Sequence, residues 1–403
     1  MASFTLPLNW QEDYFTSIDF TDVEEVYGKL REDFLGGGKS SMAQAEPSRR
    51  DVARAVREAH SRGVKFNYLL NTTCIGNREF TRSGYRKIRA MLDWLSEIGV
   101  DSVTLGLPLL VQVVKCHYPQ LKVNISTQAD IDSLEKARYW EDLGADLLTL
   151  SHVGANRNFE QIERITSHCS CRTQLIANML CKRGCPFVTL HGNFNAHASQ
   201  TWAKTNRYNL DYYFVSCLAE SFCDPVQVIK SNWIRPEDLP FYEALGIDRF
   251  KIAERGMKTS ALAFIISAYQ QGRYEGNLMD LIPSTSKYVF AEPQNIAHTM
   301  KELLRVSFVD VFKMRQTIQK ALELRNSPHY FKSSGMYIDN RKLDGAMEVF
   351  RQKNCSQTVC EDCGYCQQLA DQAVTLLGEP GQLQKDTAVF HELVDGLVKG
   401  TYF

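Results

Sequence analysis

The sequence predicts an α/β fold, a (β/α)8 TIM-like barrel with a helical, cysteine-rich C-terminal extension. Short runs of strand-like composition alternate with helical patterns, as expected of a parallel sheet wrapped by helices. There are eight such runs, the number that closes a barrel. An open, doubly wound sheet is the competing architecture, because the number of strands alone does not show how a sheet closes. The eight runs cover residues 5–8, 24–27, 66–71, 102–106, 123–127, 146–152, 173–179 and 249–254.

The segments between these runs have the apolar periodicity of helices. Residues 84–100 and 132–145 each carry an apolar stripe at helical spacing and reach a glycine that stops the helix. We expect a barrel over residues 1–285, with a cysteine-containing insertion at 180–248 that covers its mouth. Residues 286–403 should form a mainly helical extension, with helices at 293–325, 341–353, 366–377 and 387–398.

Polar residues gather where the predicted strands end. In the fifth run, Val123 and Ile125 are expected to face the helices, whereas Asn124, Ser126 and Gln128 point inward or toward the mouth. Active sites of such barrels form at the C-terminal ends of the strands. These positions are therefore candidates for a functional site, and the alternative is that they simply lead into loops.

Composition and charge exclude several classes of protein. The chain has 403 residues, enough for one barrel of about 250 residues and an appendage. Its 46 Lys and Arg residues balance 47 Asp and Glu residues, so no global field attracts nucleic acid or an anionic membrane, although a local basic patch remains open. No apolar run approaches the 20 residues of a membrane span. The N-terminal residues lack a secretory signal, which favours a cytoplasmic location.

The C-terminal cysteines give the strongest motif in the sequence. Cys355, Cys360, Cys363 and Cys366 follow a C-x4-C-x2-C-x2-C pattern within twelve residues. The first three match a spacing known from iron-sulfur ferredoxins. Zinc is the alternative, but structural zinc sites usually pair two C-x2-C knuckles across a longer segment. The motif predicts an iron-sulfur cluster, with zinc still open.

A second group of cysteines has looser spacing. Cys181 and Cys185 follow the seventh run directly, and Cys217 and Cys223 come later in the insertion. Loops at a barrel mouth can bring such residues together without a compact motif. The first pair also resembles the C-x3-C-x2-C loop of radical S-adenosylmethionine enzymes, but Val188 stands where the third cysteine would be, which argues against that chemistry.

Taken together, these features resemble the collagenase-like peptidase family U32, in the branch of iron-sulfur, oxygen-independent hydroxylases. The resemblance covers about residues 1–285 and rests on VYGKL followed by GGGK (26–39), LLNTTCIGN (69–77), STQ (126–128), LCKRGC (180–185) and DRFKIAERG (248–256). It implies a barrel with one 4Fe-4S cluster, to which Cys181, Cys185, Cys217 and Cys223 correspond, although their spacing departs from that of common members. The C-terminal motif lies outside this shared core and suggests a second cluster.

The resemblance implies either a peptidase or a hydroxylase. Hydroxylases of the family act on ubiquinone precursors, transfer RNA or ribosomal RNA, and some are thought to take the oxygen atom from prephenate. The sequence contains no G-x-S-x-G or H-E-x-x-H motif, so we favour redox chemistry on a small molecule or peptide. An RNA-modifying hydroxylase, a peptidase, and a cluster-dependent sulfur or electron transfer protein are the alternatives. An electron donor protein is a further expected partner.

The candidate site residues come from the strand ends. Lys251, Glu254 and Arg255 could bind a carboxylate or phosphate, or form an ion pair that seals the eighth strand. His152 is a candidate acid or base or a structural cap, and Gln128 is the first choice among the neutral groups. The glycine-rich GGGK segment is a possible anion cradle or a lid. The expected substrate-binding residues are Tyr27, Lys29, Asn71, Asn124, Ser126, Asn178 and His191.

Overall fold

Eight parallel strands form a closed barrel in which each strand pairs with the next and β8 closes the ring against β1. The computed structural model describes residues 2–41, 45–208, 210–282, 305–316, 319, 335–377 and 381–403. All eight predicted strands are confirmed, in order, and the closed ring replaces the open-sheet alternative. They are β1 (Ser3–Pro7), β2 (Val23–Gly28), β3 (Lys65–Leu70), β4 (Ser102–Leu105), β5 (Lys122–Ile125), β6 (Leu147–Thr149), β7 (Arg172–Ile176) and β8 (Arg249–Lys251).

Helices connect the strands and cover the outside of the barrel. Local signals set their ends: Ser48 and Asp51 form a capping box at the start of the helix Arg49–His60, and Thr81 accepts from the Gly84 N–H at the start of the helix Arg82–Glu97. Within the described residues, no helix is both long and apolar enough to cross a membrane. The barrel helices are α1 (Tyr14–Ser17), α2 (Arg49–His60), α3 (Arg82–Glu97), α4 (Pro108–His117), α5 (Leu134–Asp142), α6 (Phe159–His168), α7 (Val188–His197), α8 (Tyr212–Cys223), α9 (Pro225–Ile229), α10 (Leu239–Glu243) and α11 (Thr259–Gln271).

The inside of the barrel is polar and is organised around one buried carboxylate. Glu25 of β2 forms an ion pair with Arg249 of β8, with 3.0 Å between Oε2 and Nη2. Ser102 donates to Glu25 Oε1 at 2.6 Å, and the Asn124 amide donates to Oε2 at 3.2 Å. All four side chains are buried. A charge this deep is tolerated because its oxygens are paired and hydrogen-bonded.

Hydrogen bonds extend this network around the barrel wall. Thr104 donates to Asn67 on one side of Glu25, and Asn67 in turn donates to Ser102. On the other side the Arg249 Nε donates to Thr5, at 3.0 Å. Thr5 and Thr149 both bond to Gln174, which joins β1, β6 and β7. Six strands, β1 to β5 and β8, thus contribute residues that form the Glu25–Arg249 ion pair, bond to it, or bond to one of its partners. Gln174 connects the other two, β6 and β7, to this network.

The insertion between β7 and β8 contains α7 to α10 and lies on the barrel. The loop before α7 is tied down, because the Gly184 N–H donates to the Val153 carbonyl. Further along, the Asn232 N–H donates to the Cys181 carbonyl and the Ile234 N–H donates to the Ala177 carbonyl. These bonds hold the cysteine-bearing loop at the C-terminal end of β7.

The described part of the extension mixes helices with a small sheet. It packs on the barrel through a shared core and through buried Arg235, which pairs with Asp238 at 2.8 Å and donates to the Asn340 carbonyl. The predicted helices at 341–353, 366–377 and 387–398 overlap α12, α14 and α15, but residues 374–376 form a strand. Most of the predicted helix at 293–325, and the boundary at 285/286, lie outside the described residues. The elements are β9 (Met336–Ile338), α12 (Ala346–Lys353), α13 (Cys360–Cys363), α14 (Tyr365–Ala373), β10 (Val374–Leu376) and α15 (Gln382–Val398), and β9 pairs antiparallel with β10.

Glu25→Ala should lower the free energy of unfolding by about 3–5 kcal/mol, because it removes the closer carboxylate partner of the buried Arg249 guanidinium and leaves only Glu24, at 3.5 Å. Urea unfolding of the two proteins measures the difference. Adding Arg249→Met to Glu25→Ala should recover part of the loss. The control is Glu275→Ala, which breaks the exposed Arg273–Glu275 pair and should cost less than about 1 kcal/mol. Equal costs for the buried and the exposed pair would contradict this account.

Candidate functional site

Four cationic side chains meet at the C-terminal end of the barrel. Lys29 follows β2 and pairs with Asp33 at 2.9 Å, where both side chains are buried. Lys39 of the glycine-rich segment forms an ion pair with Glu254. The Lys251 Nζ lies 3.9 Å from the centre of the Tyr27 ring, and the fourth cation is Arg255. The structure therefore brings together five predicted residues: Tyr27, Lys29, Lys251, Glu254 and Arg255.

Arg255 is the least satisfied of these cations. Its side chain is buried, and its Nη1 has no hydrogen-bond partner among the described residues. Burial lowers the pKa of Arg255 to about 10, while Tyr27, Tyr68 and Asp33 favour its charged form. A buried N–H group without an acceptor is costly. Arg255 therefore presents an unused donor to whatever occupies the mouth.

Burial also destabilises the charged forms of the other cations. Burial lowers the pKa of Lys251 to about 7, with Arg255 and Arg249 adding to the effect and Glu25 opposing it. Burial likewise lowers the pKa of Lys29 and, with a contribution from Arg255, the pKa of Lys39. A site with crowded, desolvated cations favours an anion. Sequence reasoning missed Asp33, and it named Lys39 only within the GGGK segment, because only the fold brings this loop to β8.

Glu254 has an unusual backbone conformation. Its φ is +89°, in the left-handed region that residues other than glycine rarely adopt. Its Oε1 accepts from the Gly256 N–H at 2.8 Å and contacts Lys39. Strained backbone held by surrounding contacts is common at functional sites. Glu254 thus forms an ion pair with the glycine-rich segment, and a direct role in catalysis stays a prediction.

The glycine-rich segment is packed too tightly to cradle an anion. The Gly36 N–H donates to Asp33, the Gly37 N–H to Ser199, and the Gly38 N–H to Asn71. A side chain on Gly37 or Gly38 would come within 2.9 Å of the Asn71 amide. The backbone donors that an anion nest needs are therefore already used. Here the segment serves to bring Lys39 over the mouth.

Gln128 lies between the barrel and the overlying helix α7. It sits in a 3-10 turn after β5, where its N–H donates to Ser126, and Ser126 also contacts the Asn71 amide. A side chain on Gly192 of α7 would collide with Gln128 Oε1. Gln128 Oε1 is buried and has no hydrogen-bond partner within the part of the chain that the structure describes. Asn71, Ser126 and Gln128 thus form the neutral side of the mouth, and their contact with substrate stays a prediction.

The remaining candidates occupy structural positions. Asn124 lies deeper than expected, because its amide donates to Glu25 inside the barrel. Asn178 bonds to the Ala253 N–H and carbonyl and so joins the ends of β7 and β8. His191 pairs with Asp211 at 2.9 Å on the insertion. Contact of these three with substrate stays a prediction.

His152 is a buried neutral base. The ring Nδ1 of His152 lies 2.8 Å from Thr127 Oγ1, and the backbone N–H of His152 donates to the same hydroxyl. Burial lowers the pKa of His152 to about 4, against an opposing effect of Asp130. The ring is therefore neutral at pH 7 and does not act as a charged acid there. The contact with Thr127 matches the capping alternative.

Three of the four cysteines assigned to the barrel cluster lie near one another. The Cys181 thiol is buried, and burial raises its pKa, with Cys217 and Cys185 adding to the effect. Burial also raises the pKa of Cys217. The side chain of Cys223 is outside the described residues. Among those described, no three His, Cys, Asp or Glu side chains are arranged to hold a metal ion. Soft thiol ligands at this position suit an iron-sulfur cluster, which stays a prediction.

The C-terminal cysteines form a second group beside the first. Cys360 and Cys363 bound the short helix α13, and burial raises the pKa of both Cys355 and Cys366. The electrostatic effects of these cysteines on one another indicate that they share one neighbourhood. Arg183, between the two cysteines of the insertion loop, donates to the Cys355 carbonyl. The two cysteine groups are therefore neighbours in space.

Comparison with known proteins gives one match over most of the chain and several shorter ones. The model of peptidase family U32 matches residues 34–181. An uncharacterized protease of Methanocaldococcus jannaschii is 32% identical over 354 residues, which cover 87% of this chain and 88% of the relative. The tRNA hydroxylation protein P of Escherichia coli is 24% identical over 110 residues, 27% of this chain and 22% of that protein. The 23S rRNA 5-hydroxycytidine C2501 synthase of the same organism is 28% identical over 136 residues, 33% of this chain and 18% of that enzyme.

A small anion such as malate should bind at the mouth more tightly at pH 6 than at pH 8. The pKa of Lys251 is about 7, so its amino group is protonated below that pH and loses its charge as the pH rises through it. Titration calorimetry at both pH values measures the difference, which Lys251→Met should abolish.

The matched control for this binding experiment is Lys258→Met, which removes an exposed lysine seven residues further along. It should leave the affinity and its pH dependence unchanged. Binding that is equally tight at both pH values in the parent protein would contradict the role assigned to Lys251.

Proposed function

Because the chain belongs to peptidase family U32, we propose that it is an iron-sulfur enzyme. It performs an oxygen-independent hydroxylation, or a related redox modification, of a substrate held at the barrel mouth. The observation that carries this proposal is the buried group of cations there, with an unused Arg255 donor, on the same face as the Cys181 loop. Such a site suits an anionic co-substrate.

The hydroxylation balances if the co-substrate is a hydroxylated organic acid. The substrate exchanges a C–H hydrogen for a hydroxyl group and loses two electrons. The acid exchanges its hydroxyl group for that hydrogen and gains two electrons, so no O2 is needed. Arg255 and Lys251 bind its carboxylate, and Gln128, with its free carbonyl oxygen, accepts from its hydroxyl group.

Two sets of thiols would hold the proposed clusters. Cys181, Cys185, Cys217 and Cys223 form the first set, and the four cysteines from 355 to 366 form the second. When bound, a cluster supplies electron transfer or an iron that polarises an oxygen-bearing ligand. The loop from Cys181 to Cys185 leads directly into α7, whose Gly192 lies against Gln128. The cysteine loop and the mouth are thus connected by one short helix.

Peptide hydrolysis is the less favoured function. It would need a nucleophile activated by a base at the mouth. Thr127 and His152 are the nearest such pair, but the Thr127 hydroxyl donates to the Leu150 carbonyl at 3.0 Å and His152 is buried. Both residues hold the turn after β5 against the end of β6. We assign this pair a structural role.

Protein purified without O2 should hold about eight irons per chain, four in each of two 4Fe-4S clusters. Cys181→Ala and Cys363→Ala should each lose about half, because they disrupt different clusters. Iron and sulfide assays with electron paramagnetic resonance measure this. Four irons with one zinc would make the C-terminal centre structural.

The activity itself is tested with RNA and small-molecule extracts from cells that lack the gene. Incubated without O2, the holo protein should add one oxygen atom to a component of the extract, detected by mass spectrometry, and Cys181→Ala should not. The exposed cysteine variant Cys116→Ala is the control and should retain activity. Hydrolysis of unstructured peptides that survives Cys181→Ala and Cys185→Ala would contradict the redox proposal in favour of a peptidase.

A specific observation favours RNA as the hydroxylated substrate. Residues 47–90 contain 11 Lys and Arg against 3 Asp and Glu, although the whole chain is almost neutral. Most of these cations are exposed on α2, on α3 and in the turn before α3, and we call this surface the basic face. The exposed members are Arg49, Arg50, Arg54, Arg57, Lys65, Arg78, Arg82, Arg86 and Lys87.

The basic face reaches the barrel mouth at an exposed aromatic ring. Phe80 is 73% exposed in the turn that follows β3, and the neighbouring Arg78 stacks on Trp202 at 4.2 Å. Thr73, in the same connection, donates to Asn193 of α7, which overlies the mouth. Phosphates bind cations and unstacked bases stack on aromatic rings. The relatives named for tRNA hydroxylation and for an rRNA hydroxycytidine synthase support the same substrate class.

Replacing four exposed arginines of the basic face, Arg50, Arg57, Arg82 and Arg86, with Gln should weaken binding of bulk transfer RNA by roughly tenfold or more at moderate salt. Each lost phosphate contact should also reduce the salt dependence of binding. The negative slope of log K against log salt should therefore become shallower by about 3. Filter binding over a series of salt concentrations measures both effects.

The matched control replaces four exposed cations elsewhere, Arg138, Arg164, Lys258 and Lys399, with Gln. This variant has the same net charge as the first but keeps the basic face. Equal losses of affinity in the two variants would mean that net charge alone attracts RNA, and would overturn the assignment of this surface.

A further inference from the structure

Arg157 is a buried cation between the barrel and the extension. It lies in the connection before α6 and is 3% exposed. Its guanidinium is sandwiched between the rings of Trp233 and Phe350, at 4.7 and 4.3 Å from their centres. Trp233 belongs to the insertion and Phe350 to α12, so three parts of the chain meet at this side chain. Phe350 also contacts the ring of Tyr365, the residue before Cys366.

Two nitrogen atoms of Arg157 lack partners. Its Nη1 donates to the Ile229 carbonyl at 2.8 Å. Its Nε and Nη2 are buried and have no hydrogen-bond partner in the described residues. A cleft of about 200 Å³ lies beside the side chain, but these two atoms are closed off from solvent. A buried guanidinium with unused donors is costly unless it meets a negative group.

The C-terminal cysteines act electrostatically on Arg157, and they become negatively charged when their thiols bind a metal. Cys366 favours the charged form of Arg157 most, followed by Tyr242 and Cys355, and Arg157 is the largest electrostatic influence on both thiols. Asp238 also lies in range, but it is paired with Arg235. Arg183 and Lys230 add positive charge around the same cysteines. The surroundings of this motif are therefore cationic.

We propose that Arg157 is a positioning residue for an anionic, thiolate-bound centre held by Cys355, Cys360, Cys363 and Cys366. The inference rests on the C-terminal cluster of the proposed function. Four thiolates around a 4Fe-4S cluster or a zinc ion carry a net charge of about −2, which supplies acceptors for the Nε and Nη2 donors. Reduction of an iron-sulfur cluster adds one more negative charge, so the guanidinium stabilises the reduced state.

Arg157→Met should make the C-terminal cluster harder to reduce. At a fixed potential near its midpoint, the ratio of reduced to oxidised cluster should fall at least tenfold, equivalent to about 59 mV for one electron. The experiment uses the full-length holo protein with Cys181→Ala, so that the C-terminal signal is observed alone. Redox titration monitored by electron paramagnetic resonance gives the midpoint. Arg157→Lys, which keeps the charge, should show a smaller shift.

The control is Arg351→Met, which removes a half-exposed guanidinium from the same cleft and should leave the midpoint unchanged. Loss of metal from Arg157→Met but not from Arg157→Lys also supports the proposal. If the centre holds zinc, faster zinc loss to a chelator in Arg157→Met supports it equally.

Two results overturn the assignment of Arg157. One is an unchanged midpoint, or unchanged zinc loss, in Arg157→Met. The other is equal loss of metal from Arg157→Met and Arg157→Lys, since Lys keeps the charge. Full metal content in Cys355→Ala and Cys366→Ala would instead contradict the C-terminal centre itself, and so separates a failure of the proposed function from a failure of Arg157.

Discussion

The ion pair between Glu25 and Arg249 is the constraint on which the rest of the structure depends. Barrels of this kind usually fill their interior with branched apolar side chains, which tolerate small shifts of one strand against another. A buried carboxylate tolerates far less, because a lost partner leaves a charge unpaired. The hydrogen bonds from Ser102 and Asn124 and the ion pair with Arg249 therefore fix the relative positions of β2, β4, β5 and β8. Those strands carry Tyr27, Ser126 and Lys251 to the mouth.

The mouth above this network is stable only because its cations are partly compensated. Asp33 and Glu254 neutralise Lys29 and Lys39, but no carboxylate pairs with Arg255 among the described residues. The lowered pKa of Lys251 and the strained backbone of Glu254 are costs that folding alone does not require. An anionic ligand would stabilise the charged form of Lys251 and give Arg255 an acceptor. The same imbalance that weakens the fold at this point therefore prepares it to bind.

Local patterns predicted the barrel well, and long-range contacts explain what they missed. Strand alternation and helix stops recur within each βα unit, so all eight strands were found. Whether Gly36 to Gly38 offer free N–H groups depends on nearby Asp33 and on Asn71 and Ser199, the last two of which the fold brings there from distant parts of the chain. The pairing of β9 with β10 joins residues nearly forty positions apart. The net charge of −1 gave no indication of the basic face, because acidic residues elsewhere in the chain balance its positive charges.

The position of the C-terminal cysteines also bears on how the protein assembles. Their spacing is compact enough to wrap a centre without help from the rest of the chain, yet the cations around them come from elsewhere: Arg157 from the barrel, Arg183 and Lys230 from the insertion. Arg183 also joins this segment to the loop of Cys181 and Cys185. A centre that formed before the barrel would lack these positive charges. We therefore expect the C-terminal cysteines to reach their final charge environment only after the barrel and insertion have folded, so that the proposed second centre would be part of the barrel and not an independent module.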